Sequence, residues 1–85
     1  MINDQLIQML RCPQDRSALS NAEADLVQRV NRAIGAGKLM NVAGQQVKKQ
    51  LDGGLIRDAG DLMYPVVDEI PVMLPDEAIE LSQLD

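Results

Sequence analysis

The chain has 85 residues, enough for one domain with a modest core, and its 46% apolar content includes a single aromatic residue, Tyr64. Thirteen Asp and Glu against eight Lys and Arg give a net charge of −5, which repels phosphate backbones, and one tyrosine makes no stacking platform, so direct nucleic-acid binding is not expected. With no histidine and one cysteine, an internal disulfide, a Ser-His-Asp triad, a Cys/His nucleophile pair and a zinc site of ordinary ligands are all excluded.

In chain order, Asn3 is expected to cap a short helix whose Leu6, Ile7 and Leu10 share one face, with Pro13 ending it. Arg11 to Leu19 shows no periodicity and reads as a loop. Ser20 followed by Glu23 fits a capping box, and Leu26, Val27, Val30, Ala33 and Ile34 follow at helical spacing, with Arg29 and Arg32 on the solvent side. Gly35 and Gly37 supply the stop. From Leu39 onward, Val47, Leu51, Leu55 and Ile56 fall between reversals expected at Ala43-Gly44, Gly53-Gly54 and Ala59-Gly60.

Asp58 to Asp61 reads as a hairpin turn leading into Leu62 to Val67, where alternate side chains point to opposite faces of a strand. Asp68-Glu69 makes a tight reversal, and Ile70 to Leu74 forms a further strand. Pro65 and Pro71 mark edges, ends or bulges, because proline cannot donate to a ladder. Pro75-Asp76 is expected to cap a terminal helix containing Ala78, Ile79 and Leu81, with residues 82–85 frayed. The fold class is α+β, a single domain over residues 1–85: a small, largely antiparallel sheet with an N-terminal helix and a helical insertion at about residues 20–36.

Carboxylates are plentiful, but Asp52, Asp58, Asp61, Asp68, Glu69, Asp76 and Glu77 all fall at turns or helix starts, where Asp and Glu serve local hydrogen bonds and the helix dipole. Asp68, Glu69, Asp76 and Glu77 do not have the spacing of an EF-hand, so no metal site is expected. Asp52-Gly53-Gly54 lacks the Gly-Lys-Ser/Thr ending of a phosphate loop, and its glycines read as a bulge or a close backbone approach. Lys48-Lys49 reads as solvated surface, Cys12 as a small loop residue packed beside Leu10 and Pro13, and the five methionines mainly as gap-fillers of the core. No catalytic residue and no cofactor is expected. No apolar run reaches the roughly 20 residues that span a bilayer, and no basic-then-apolar leader opens the sequence, so a cytoplasmic protein is expected.

Three segments carry a resemblance: Leu10-Arg11-Cys12-Pro13, Gly54-Leu55-Ile56-Arg57, and Tyr64-Pro65-Val66-Val67-Asp68-Glu69-Ile70-Pro71-Val72-Met73-Leu74. In order and spacing they resemble the small methyltransferase-activator family, Trm-type and zinc-ribbon-like, with its YcaR-like bacterial relatives. That family's pattern opens with Cys-Pro-x-Cys and closes with Tyr-Pro-x-x-Asp-Gly-Ile-Pro-x-x-Leu. Asp15 stands at the second cysteine and Glu69 at the glycine, so this is a variant without the zinc cysteines, held by packing alone. If the turn needs a positive backbone angle Glu69 is strained, so either a different turn or a tolerated left-handed residue is expected there.

The resemblance implies a non-catalytic partner or activator subunit of an S-adenosylmethionine-dependent methyltransferase acting on RNA or a translation factor. The expected partner-binding region is Tyr64, Val66, Ile70, Val72, Met73 and Leu74, with main-chain pairing at a sheet edge supplying affinity and side chains specificity. The alternative is a self-associating structural protein, a homodimer closed on the same edge.

Overall fold

The computed structural model describes residues 4–84. In chain order it contains α1 (Asp4–Met9), β1 (Leu19–Asn21), α2 (Ala24–Gly35), β2 (Gly53–Arg57), β3 (Leu62–Val67), β4 (Ile70–Pro71) and β5 (Ile79–Glu80), with 3-10 turns at Pro75–Glu77 and Leu81–Leu84. The expected α+β architecture is present, with a helix before the sheet and a second helix inserted between β1 and β2. The Asn3 cap and the Leu6 side chain lie outside the described residues.

All strand pairings are antiparallel, in the order β1-β2-β3-β4, and β5 also pairs with β3. β2 takes one edge of β3 from Met63 to Val66, so the other edge is shared, β5 at Leu62-Met63 and β4 at Val66-Val67. β3 is therefore enclosed along both edges. Its two faces are enclosed as well: Leu62, Tyr64 and Val66 join Ile7, Cys12, Leu19, Leu55 and Ala78 in one cluster, while Met63 joins Val30, Ile34, Leu39, Leu51 and Ile79 in the other. The alternation expected for β3 is real, but it separates two cores rather than a core from water.

α2 buries Val30 and Ile34 and leaves Arg29 and Arg32 exposed, as its spacing predicts. Its C-terminus is a Schellman motif: Lys38 N–H donates to Ala33 C=O and Gly37 N–H to Ile34 C=O, with Gly37 at φ 73°. The capping box is not formed. Ser20 lies in β1 opposite Ile56, and Glu23 is the N-cap without a side-chain hydrogen bond. Strand pairing of residues 19–21 with β2 moved the helix start past the serine.

The Arg11–Leu19 segment is not a plain loop, since Arg11 bridges Ala18 and Leu19 enters β1. Gly53-Gly54 is not a reversal but the start of β2, opposite Val66 and Pro65. The close approach expected of those glycines does occur. A Cβ at Gly54 would lie 2.5 Å from Met63 Sδ, so the missing side chain is the space in which the buried thioether lies.

Between α2 and β2, residues 39–52 cross the second core in an irregular path that packs Leu39, Val47 and Leu51 inward. Two side-chain amides pin this path. Asn31 accepts from Leu51 N–H at 2.8 Å and donates to Leu51 C=O at 2.9 Å, and Gln83 likewise accepts from Met40 N–H and donates to Met40 C=O. Each amide presents a donor and an acceptor to one residue's backbone, as a neighbouring strand would.

The C-terminal segment departs most from expectation. Ile79 is fully buried and pairs with Met63 in β5, so Ala78, Ile79 and Leu81 do not share one helix: Ala78 is the extended cap of the Pro75–Glu77 turn, Ile79 is in a strand and Leu81 opens a second 3-10 turn. Residues 82–84, expected to fray, carry the Gln83 clamp and the core contact of Leu84. Likewise, only Ile70–Pro71 of the expected 70–74 strand is strand, with one further backbone bond from Val72 to Pro65.

Candidate interaction surface

The β3–β4 hairpin turns on Asp68 and Glu69, whose φ values of 52° and 64° place both in the left-handed region. A two-residue hairpin needs this geometry to match the twist of its strands, and it is usually supplied by Asn-Gly or Asp-Gly. Glu69 is thus the left-handed residue envisaged from its place in the motif. Its N–H donates to Asp52 Oδ2 at 3.0 Å, which anchors the turn to the chain leading into β2.

Beyond the turn, the run Ile70 to Leu74 divides. Ile70 is 66% exposed and Leu74 61%, Val72 is half-buried, and Met73 packs against the first core cluster. Tyr64 and Val66 leave the expected binding region altogether: they are 0% and 4% exposed, inside that cluster, because β3 is covered on both faces. Of the six expected contact residues, Ile70, Val72 and Leu74 reach the surface together with part of Met73.

The edge itself is closed to main-chain pairing. Val72 N–H donates to Pro65 C=O at 2.8 Å and Ile70 pairs with Val67, so both turn their backbone groups toward β3. Alternation leaves Pro71 as the outward residue of β4, and proline has no N–H. Along β4 itself an incoming strand would meet one carbonyl and no donor. Contact at this end of the sheet must therefore run through side chains.

The Cys12 loop, where the resemblance starts, has a structural occupation. Cys12 is buried, and its Sγ lies 2.9 Å from Tyr64 Oη, within hydrogen-bond distance across the first core, whereas Pro13 is exposed. The loop closes through Arg16 N–H to Cys12 C=O and Cys12 N–H to Ser17 C=O, with Arg16 at φ 61°. Asp15 Oδ1 accepts from Ser17 N–H, and this bond, with help from Cys12 and Arg57, lowers its pKa to about 2. Burial, reinforced by the Cys12 contact, raises the Tyr64 phenol well above its ordinary value. Across the β2–β3 turn, Arg57 forms a bidentate pair with Asp61, which lowers the Asp61 pKa and raises that of Arg57, and Asp15 approaches the same guanidinium at 3.5 Å.

Of the carboxylates expected to serve turns, Asp52 accepts from Glu69 N–H and Asp61 pairs with Arg57 across the β2–β3 turn, and Asp15, which was not among them, accepts from Ser17 N–H. Among the described residues no group of three or more His, Cys, Asp or Glu is placed to hold a metal ion. No helix among them is long and apolar enough to cross a membrane. Asp68-Glu69 at the hairpin turn and Asp76-Glu77 in the following 3-10 turn repeat a dipeptide on either side of Ile70 to Pro75, which their separate assignment to turns does not reveal. The repeat itself was the signal. A shallow depression elsewhere, between α2 and β2, is lined by Ala24, Val27, Asn31, Gly53 and Gly54.

The fold and the Cys12 loop define a small α+β domain with a zinc-ribbon-like antiparallel sheet that lacks the zinc cysteines. It is similar to the solution NMR structure of XF2673 from Xylella fastidiosa, with a TM-score of 0.76 and 30% sequence identity over 98% of this chain and 86% of that one. The chain belongs to the same family as XF2673. Neither a protein-family model nor a curated protein matches it.

Proposed function

We propose that the protein is a non-catalytic, cytoplasmic interaction module, a partner subunit that docks on an S-adenosylmethionine-dependent methyltransferase through the β4 end of its sheet. The choice of partner class rests on the resemblance of the Cys12-Pro13 and Tyr64–Leu74 motifs. The observation that supports docking is the pair Ile70 and Leu74, large aliphatic side chains held 66% and 61% exposed on a segment that is otherwise anchored. Isolated exposed apolar residues are ordinary, but two bracketing the half-buried Val72 on one short segment can supply a small contact core.

Affinity comes from these side chains rather than from strand addition, since Pro71 blunts the edge. The test is retention of a methyltransferase catalytic subunit from native lysate by the tagged protein, identified by mass spectrometry, beside an Ile70→Asp/Leu74→Asp variant. Wild type is expected to retain the enzyme and the variant to lose it. Recovery of another stable partner and no methyltransferase, or equal retention by the variant, overturns the proposal.

A further inference from the structure

All eight Lys and Arg of this chain precede residue 58, and residues 58–85 carry eight Asp and Glu with no cation. Part of this asymmetry lies on the segment from the β3–β4 turn to the Pro75–Glu77 turn. Asp68-Glu69 and Asp76-Glu77 bracket the segment on which Ile70 and Leu74 are exposed, with Asp68, Glu69 and Asp76 themselves exposed. Asp76 and Glu77 form no ion pair among the described residues, and Glu77 and Val72 line a depression with Lys48 and Lys49. Asp68 meets Lys49 at 3.5 Å with both side chains at least 70% exposed, so four carboxylates face two lysines whose contacts water and salt screen strongly. Asp76 and Glu77 lie in the first turn of the Pro75–Glu77 segment, whose N-cap is the apolar Leu74.

From this juxtaposition we propose that the Ile70–Glu77 surface is a docking face for a protein surface of opposite charge, an apolar depression rimmed by Lys and Arg. The inference rests on the docking reading above and specifies the partner's face. Apolar contact by Ile70, Val72 and Leu74 holds the complex, and the bracketing carboxylates steer the encounter and fix its register. The same charges act against the two other occupants such a face could take. A second copy would bring Asp-Glu pairs against Asp-Glu pairs, and an anionic lipid surface or a nucleic acid would be repelled.

The test uses the full chain, isotopically labelled, and two synthetic amphipathic helical peptides with the same leucine face, one flanked by lysines and its twin by glutamates. Amide shift changes over Ile70–Glu77 are expected with the lysine peptide, at least tenfold tighter than with its twin at 50 mM salt, and the gap is expected to shrink below threefold at 500 mM. Asp76→Lys/Glu77→Lys, which alters exposed or half-exposed turn residues, should remove most of the preference, while Leu74→Asp should weaken both peptides.

Binding of the two peptides within twofold of each other, shift changes centred on the α2–β2 depression, or no shift up to millimolar peptide overturns the proposal. So does concentration-dependent self-association through Ile70–Glu77, because it makes a second copy the occupant. Failure to retain a methyltransferase, with the lysine preference intact, removes the partner class and leaves the charge inference standing.

Discussion

Gly54→Ala probes whether the sheet and its second core fit as described. The new Cβ would stand 2.5 Å from Met63 Sδ, 2.8 Å from Cγ and 3.0 Å from Cε, against the roughly 3.5 to 4.0 Å of ordinary carbon contact. Relief requires the thioether to move by about 1 Å, and Met63 is 0% exposed among Val30, Ile34, Leu39, Leu51 and Ile79. Overpacking of this kind costs about 1 to 3 kcal/mol. Gly54 has no positive φ, so alanine also gains about 0.4 to 1 kcal/mol by restricting the unfolded chain, leaving a net loss near 1 to 2 kcal/mol.

Met63→Ala alone should cost about 2 to 5 kcal/mol through the cavity it opens. In the double variant the methyl group added at position 54 enters that cavity without a collision, so it should be about 1 to 2 kcal/mol more stable than the two single effects predict. Urea unfolding midpoints at constant slope read all four states of the cycle. A Gly54→Ala protein within about 0.5 kcal/mol of wild type, or a double variant additive within about 0.3 kcal/mol, would refute the reasoning.

Four further outcomes follow from the same structure. Asn31→Ala removes both hydrogen bonds to the half-buried Leu51 clamp and should cost about 1 to 3 kcal/mol, whereas Gln83→Ala on the exposed clamp should cost under about 1 kcal/mol; hydrogen exchange at the Leu51 amide should accelerate only in the first. Glu69→Gly keeps the N–H to Asp52 and relieves a left-handed residue, so it should raise stability by about 0.5 to 1 kcal/mol in thermal unfolding. Tyr64 is the one tyrosine, so alkaline absorbance reads it alone: its raised folded pKa means no tyrosinate near pH 10, and the stability it contributes, complete below that value, is lost as pH rises. Asp15 has the opposite sign. Its folded pKa of about 2 gives a contribution present above the ordinary carboxylate value near pH 4 and lost as pH falls toward 2, which carboxyl NMR titration checks.

Local chemistry made several elements readable without coordinates. The α2 stripe and its Gly37 stop, the Gly60 hairpin turn and the β3 alternation each depend on residues adjacent in sequence, and all three appear as expected. Where the reading went astray, a distant partner had overruled a local preference. Ser20 has the residue type of a cap but became a strand residue because Ile56 lies opposite. Gly53-Gly54 has the composition of a turn but became a strand because Met63 needs the space. Ile79 sits at helical spacing from neighbours yet pairs with Met63 as β5.

The candidate surface divides in the same way. Sequence selected the Tyr64–Leu74 region and displayed both Asp-Glu pairs, but it could not separate Ile70 and Leu74 from Tyr64 and Val66, which are equally apolar. Only the enclosure of β3 on both edges and both faces settles which side chains are left at the surface, and only the direction of the Ile70 and Val72 backbone groups shows that Pro71 faces outward. By itself the sequence determined the class of fold, the excess of negative charge and the absence of ordinary zinc ligands, because these depend on residue type and near-neighbour spacing. Tertiary structure alone decided which apolar residues are core, what Cys12 is bonded to and how the sheet edge is closed, because burial and pairing are set by residues far apart in the chain.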